Sequence, residues 1–129
     1  MDSSEAITRN VRIRVQSQYI PERSDPPRRQ WFFGYKIRIS NEGPETVQLL
    51  TRHWVITDAT GHVEEVNGEG VVGEQPSIEP GHAFEYTSGC PLTTPFGSMH
   101  GEYQMLTRQG EQFDVSIPAF VLRVPGTMN

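Results

Sequence analysis

A single cysteine, Cys90, stands in 129 residues, so no disulfide can form within the chain. No CxxC pair or Cys/His cluster has the spacing of a structural zinc site. Long hydrophobic runs are missing too. Nothing approaches the roughly 18 consecutive apolar residues of a membrane helix. The N-terminal part has no apolar stretch of the secretory kind, since charge interrupts Val11-Arg12-Ile13-Arg14-Val15 at every second position. Helical periodicity is absent throughout. These absences lead us to expect one domain over residues 1–129, with its core at about 11–124, in a reducing cytoplasm and away from membranes. A domain of this length buries about two-thirds of its unfolded surface and needs no covalent or metal staple.

Charge is present but unevenly placed. Residues 1–40 hold eight of the eleven basic groups against four acids, whereas Asp58 to Glu85 holds seven acids and no Lys or Arg. The net charge of −5 argues against a general nucleic-acid binder, whose surface is dominated by positive charge. Such a function would have to use the Arg-rich first 40 residues, where Arg12 and Arg14 on one face of a strand supply a stripe.

What fills the chain is period-two alternation. Val11, Ile13 and Val15 alternate with polar neighbours, and Trp31, Phe33, Tyr35, Ile37 and Ile39 do the same. Further strands are expected from Val47 to Asp58, with a bulge around Thr51–His53, and over Val63–Asn67, Ala83–Cys90 and Met99–Thr107. Phe113, Val115 and Ile117 lie in another, and Phe120–Val124 forms a last short run. Turns fall at Asn41–Pro44, Ala59–His62, Pro80-Gly81 and Gln109-Gly110, where Gly and Pro set the backbone. Residues 1–8, 20–29 and 125–129 read as mobile. Seven to nine strands with regular turns predict an all-β sandwich of two antiparallel sheets.

Several segments carry a resemblance. Gln48–Trp54, Glu65–Pro76, Tyr86–Pro91, Thr94–Met105 and Ile117–Phe120 resemble the ApaG family, in order and across nearly the whole chain. The resemblance implies a fibronectin type III or immunoglobulin-like sandwich. It also implies an association with cobalt resistance and magnesium efflux, and a role as an interaction module where the domain is appended to eukaryotic F-box and polymerase-delta-interacting proteins. It supplies no catalytic residues.

Gly68-Glu69-Gly70-Val71-Val72-Gly73 fits GxGxxG, which in a dinucleotide site turns a strand into a helix whose amides bind pyrophosphate. Here Gln75-Pro76 follows at once and no helix can start. Glu64, Glu65, Glu69 and Glu74 surround the loop with no base in sequence to offset them. The glycines are expected to serve positive φ or close packing instead. The loop Gly68, Glu69, Gly70, Val71, Val72, Gly73, Glu74 and Gln75 is the candidate contact for a basic protein or peptide, with Tyr86–Pro91 beside it. The rival, a nucleotide or pyrophosphate site in which the loop amides cradle the anion, requires Arg28, Arg29 or Arg52 to reach the loop.

No cofactor, metal ligand or catalytic residue is assigned. The acid cluster lacks the spacing of a calcium or magnesium loop. His53, His62, His82 and His100 are scattered, and Ser98, His100 and Asp114 have no nucleophile elbow around them. Trp31 and Trp54 are expected in the core. Cys90 is expected to pack as a small apolar group.

Overall fold

The computed structural model describes residues 2–126 and consists of two antiparallel sheets packed face to face. In chain order the strands are β1 (Asp2–Thr8), β2 (Val11–Tyr19), β3 (Trp31–Asn41), β4 (Val47–Asp58), β5 (Val63–Glu69), β6 (Ser77–Ile78), β7 (Ala83–Leu92), β8 (Phe96–Thr107) and β9 (Gln112–Arg123). One sheet runs β1-β2-β3-β7. The other runs β5-β4-β8-β9, with β6 beside β4. With β1 set aside, three strands facing four make a fibronectin type III-like sandwich.

Alternation decides which side chains fill the space between the sheets. Ile13 stands opposite Ile39 and Val15 opposite Ile37, and all four are fully buried. From the facing sheet Leu49, Trp54, Met99, Tyr103, Met105, Val115, Ile117, Phe120 and Leu122 complete the core. Each such side chain contributes roughly 1.5–3 kcal/mol by leaving water. Tyr35, Trp54 and Phe120 meet in tilted and edge-to-face contacts at 5.5–5.9 Å between ring centroids. Trp54 is buried, and Trp31 packs half-buried at the core's margin.

Four expectations are corrected. Residues 2–8 are a strand in full register with β2 and pack against β9, so the ordered sandwich begins at Asp2 rather than near Val11. Residues 20–29 hold two 3-10 turns, Pro21–Arg23 and Pro26–Arg28. They are tied down by Ser24 Oγ, which donates to Ile20 O and accepts from Phe32 N, and by Arg23 stacked 4.0 Å over the Phe32 ring. Phe120–Arg123 is the end of β9 and not a separate strand. The register slips there because Pro118 and Ala119 bulge opposite His100, and a bulge accommodates a proline that cannot donate to the ladder. The bulge of β4 lies at Leu50, just ahead of the expected place. Of the C-terminal stretch read as mobile, Pro125-Gly126 forms a turn; residues 127–129 lie outside the described residues.

Candidate functional site: the glycine loop and its acidic surroundings

The glycine loop leaves β5 and returns as β6, both along the same edge of β4. Its anchor is the bulged residue Leu50. The Leu50 carbonyl accepts from Gly70 N (2.8 Å) and from the Gln75 side-chain amide (2.9 Å). Gln48 Nε2 donates to Gln75 O, and Leu49 N–H donates to Pro76 O. Gln75 therefore holds the loop to its own sheet. Val71 is buried in the core.

Each glycine has a distinct reason. At Gly68 a Cβ would stand 2.7 Å from the guanidinium carbon of Arg52, so the bare backbone gives that group room. Gly70 (φ +62°) would bring a Cβ to 2.1 Å from Glu74 O. Gly73 (φ +80°) ends a two-residue turn closed by Val71 N–H to Glu74 O (2.8 Å) and Glu74 N–H to Val71 O (2.9 Å). No helix follows, and none of these glycines opens a dinucleotide fold.

The other central residue of that turn is Val72, at φ +44° and 55% exposed. Positive φ at both central positions marks a hairpin turn that favours Asn-Gly, because a β-branched side chain is crowded in the left-handed region. Val72 is thus an apolar residue held in a costly conformation where nothing in the core requires it.

A base does reach the loop, contrary to the charge reading of the sequence. Arg52 projects from β4 on the same face as Trp54, and its Nη1 donates to Glu69 O (2.9 Å) and Gly70 O (2.8 Å). It lines a cavity of about 310 Å³ with Tyr35, Tyr86, Ser88, Glu69 and Val71–Gly73. Behind this cavity the hydroxyls of Tyr86 and Tyr103 bond to each other at 2.6 Å. Burial raises both phenols above their ordinary range. Arg28 lies elsewhere, paired with Asp25, and Arg29 caps the second 3-10 turn.

On the outside of the same sheet the acids gather. Register places Glu69, Thr51, Gln104 and Asp114 in one row, Asn67, His53, Glu102 and Ser116 in the next, and Glu65, Val55 and His100 in a third. No Lys or Arg stands in these rows. His53 sits at the centre, its Nδ1 2.5 Å from Glu102 and its Nε2 2.7 Å from Glu65. Both bonds can form together only when the imidazole carries two protons, so Glu65 first and Glu102 second raise its pKa above the ordinary 6.5. The sign follows from linkage: the bridge stabilises the fold fully below about pH 6.5 and is lost as pH rises through the raised folded value. Melting temperature should fall over that window in the natural chain and change less in His53→Gln. A His53 imidazole titrating at or below 6.5 by NMR would refute this.

The opposite sheet has a different exterior. Arg12 donates to Glu5 (2.7 Å) and Glu42 (2.7 Å), Arg14 to Glu5 (2.9 Å), and Arg38 to Glu85 (2.9 Å). The guanidiniums hold Glu5, Glu42 and Glu85 below the usual carboxylate range. Arg12 and Arg14 are thus each tied to a glutamate of their own sheet.

The remaining candidates are not assembled. Asp114 stands opposite Gln104 rather than near His100 or Ser98. Cys90 is buried, and desolvation pushes its thiol up to about 11. Among the described residues no group of three His, Cys, Asp or Glu is arranged to hold a metal ion. No helix among them is long and apolar enough to cross a membrane.

Fold and loop together define a fibronectin type III-like sandwich with a glycine-shaped, acid-lined loop between its fifth and sixth strands. Residues 21–107 match the family model described as the ApaG domain. Curated relatives called Protein ApaG include one from Afipia carboxidovorans, 57% identical over 93% of this chain and 92% of its own, and one from Mesorhizobium japonicum, 53% identical over 95% and 94%. A crystal structure titled as the putative ApaA protein of Bordetella pertussis superposes with a TM-score of 0.88 at 48% identity, covering 91% of this chain and 95% of that one. The chain belongs to the ApaG family.

Proposed function

We propose that this protein is a non-enzymatic binding module that meets a basic protein or peptide through the tip of the glycine loop, in the cytoplasm. The observation that carries the reading is Val72. An exposed β-branched residue at positive φ costs roughly 1–2 kcal/mol, and such strain is retained where the surrounding structure and its use demand it. Glu69 and Glu74 flank the tip, and the acidic rows of the outer sheet face extend the same field, which favours a basic partner and speeds its approach. Any influence on cobalt resistance or magnesium efflux then passes through that partner and not through a metal held here.

Val72→Asn tests the reading. Asn tolerates the left-handed region, so the substitution should raise stability by about 1 kcal/mol while lowering recovery of partners from lysate. Glu69→Ala with Glu74→Ala should lower recovery with little change in melting, and Gln75 is left intact because it anchors the loop. Stabilisation by Val72→Asn with undiminished recovery would move the contact elsewhere.

One observation favours the rival anion site: Arg52 lies within hydrogen-bond reach of the loop and lines a shared cavity. Against it, Nη1 is committed to two carbonyls and Glu69 lines the same cavity. Millimolar pyrophosphate that shifts the Gly68, Gly70 and Gly73 amide resonances would reverse the preference.

A further inference from the structure

The edge of β5 is a hydrogen-bonding surface without a neighbour among the described residues. β5 pairs with β4 on one side only. Two bonds bracket that ladder and set its parity: Asp58 N–H donates to His62 O, and Gly70 N–H donates to Leu50 O. Antiparallel pairing alternates bonded and non-bonded pairs. Glu64, Val66 and Gly68 therefore turn their main-chain groups toward β4, while Val63, Glu65, Asn67 and Glu69 turn theirs outward. The Glu69 carbonyl is taken by Arg52. The N–H and C=O of Val63, Glu65 and Asn67 remain, a row of alternate residues at the spacing a fresh strand would use.

Side chains along this edge say what kind of strand fits. Val63 and Val66 are 51% and 37% exposed, one on each face of the ribbon. Between and beyond them stand Glu64, Glu65 and Glu69, with no cation in β5. Charge on an edge is how sheet proteins refuse their own kind. A second copy pairing through β5 would bring three glutamates from each chain into one ribbon, where like charges near each other are destabilising. The same glutamates favour a strand of opposite sign.

We infer that β5 is a docking edge: an extended segment of another protein, basic at alternate positions, adds as a strand beside β5. Its main chain bonds to Val63, Glu65 and Asn67. Its Lys or Arg side chains lie along the outer face against Glu65 and Glu69, with Glu102 and Asp114 farther in, and its intervening side chains cover Val66. Strand addition of this kind takes affinity from the main chain and specificity from alternate side chains. The inference deepens the proposed function and rests on it, because Glu69 belongs to both the edge and the loop.

The test uses the whole chain, isotope-labelled, with two capped ten-residue peptides, one alternating Lys and Thr and the other alternating Glu and Thr. The Lys peptide should slow hydrogen exchange at the Val63, Glu65 and Asn67 amides, and the Glu peptide should not. Asn67→Pro removes an outward N–H that β4 does not use and should weaken the Lys peptide by about tenfold at unchanged melting. Should that variant unfold, Glu65→Lys with Glu69→Lys serves instead and should transfer protection to the Glu peptide. Protection confined to residues 69–74 would overturn strand addition and leave the loop reading standing. No response to the Lys peptide at millimolar concentration would remove both. Protection that grows with protein concentration, without peptide, would assign the edge to a second copy and overturn the inference.

Discussion

Gly101→Ala is expected to cost about 3–5 kcal/mol, the largest effect of any methyl group added to this chain. A Cβ at Gly101 would stand 1.9 Å from the His53 carbonyl oxygen and 3.2 Å from Trp54 Cα. Both obstacles are backbone, so no rotamer change relieves them. Gly101 faces Trp54 across the β4–β8 ladder, the central pairing of its sheet. Separating those strands breaks ladder bonds worth about 1 kcal/mol each and loosens the packing of Trp54. Against a total stability of roughly 5–15 kcal/mol, such a loss is a large fraction and brings the weaker domains of this size close to their unfolding midpoint. Urea unfolding followed by Trp fluorescence measures it. A change within about 1 kcal/mol would mean that the two strands can part without consequence.

Gly70→Ala should come second, and its damage should stay local. Here the dihedral and the contact act together. Left-handed backbone costs an L-residue about 1–2 kcal/mol, and the new methyl would meet Glu74 O, the acceptor of the turn bond from Val71. Opening the turn withdraws Val71 from the core, so a total loss of about 2–4 kcal/mol is expected. Amide exchange at Val71 and Glu74 should accelerate while β2, β3 and β8 keep their protection. Gly73→Ala separates the two causes. No atom lies within 4 Å of its Cβ position, so only the dihedral cost should appear. Equal effects at the two positions would show that crowding at Gly70 is not real.

Much of this fold was legible because β2, β3 and β8 alternate over most of their length, with apolar side chains inward and polar ones outward. The exceptions are outward Phe32, Phe96 and Leu106 and inward Ser17, Asn41 and Thr107. β1 was not, for an identifiable reason. Its inward positions are Asp2, Ser4, Ala6 and Thr8, packed half-buried beside β9, while Ile7 points outward and is 50% exposed. The pattern is nearly the inverse of a core strand, and what holds it is long-range: seven consecutive pairings with β2 and the bonds of Asp2 and Thr8 to Arg123 and Ser116 of β9.

The site was legible in its glycines and acids and illegible in its bracing. Arg52 is one of three arginines the sequence offers to the loop, and only the bulge at Leu50, which turns it to the face of Trp54, singles it out from Arg28 and Arg29. Gln75 looks like part of a contact surface, yet its amide is spent on a carbonyl twenty-five positions earlier. Val72 carried no signal, since nothing in a sequence leads one to expect a β-branched residue at φ +44°. Long-range hydrogen bonds and strain are properties of the assembled chain.

The bulge has a consequence for how the sequence can be edited. Leu49 faces inward and Thr51 outward, so excising Leu50 would leave β4 in unbroken alternation with its pairing to β8 and β5 undisturbed. Neither of those two ladders pairs that residue. What would disappear is the carbonyl that receives Gly70 and Gln75. Leu50 is in effect a supernumerary position, kept in a central strand for the benefit of a loop, and the loop in turn lodges Val71 in the core.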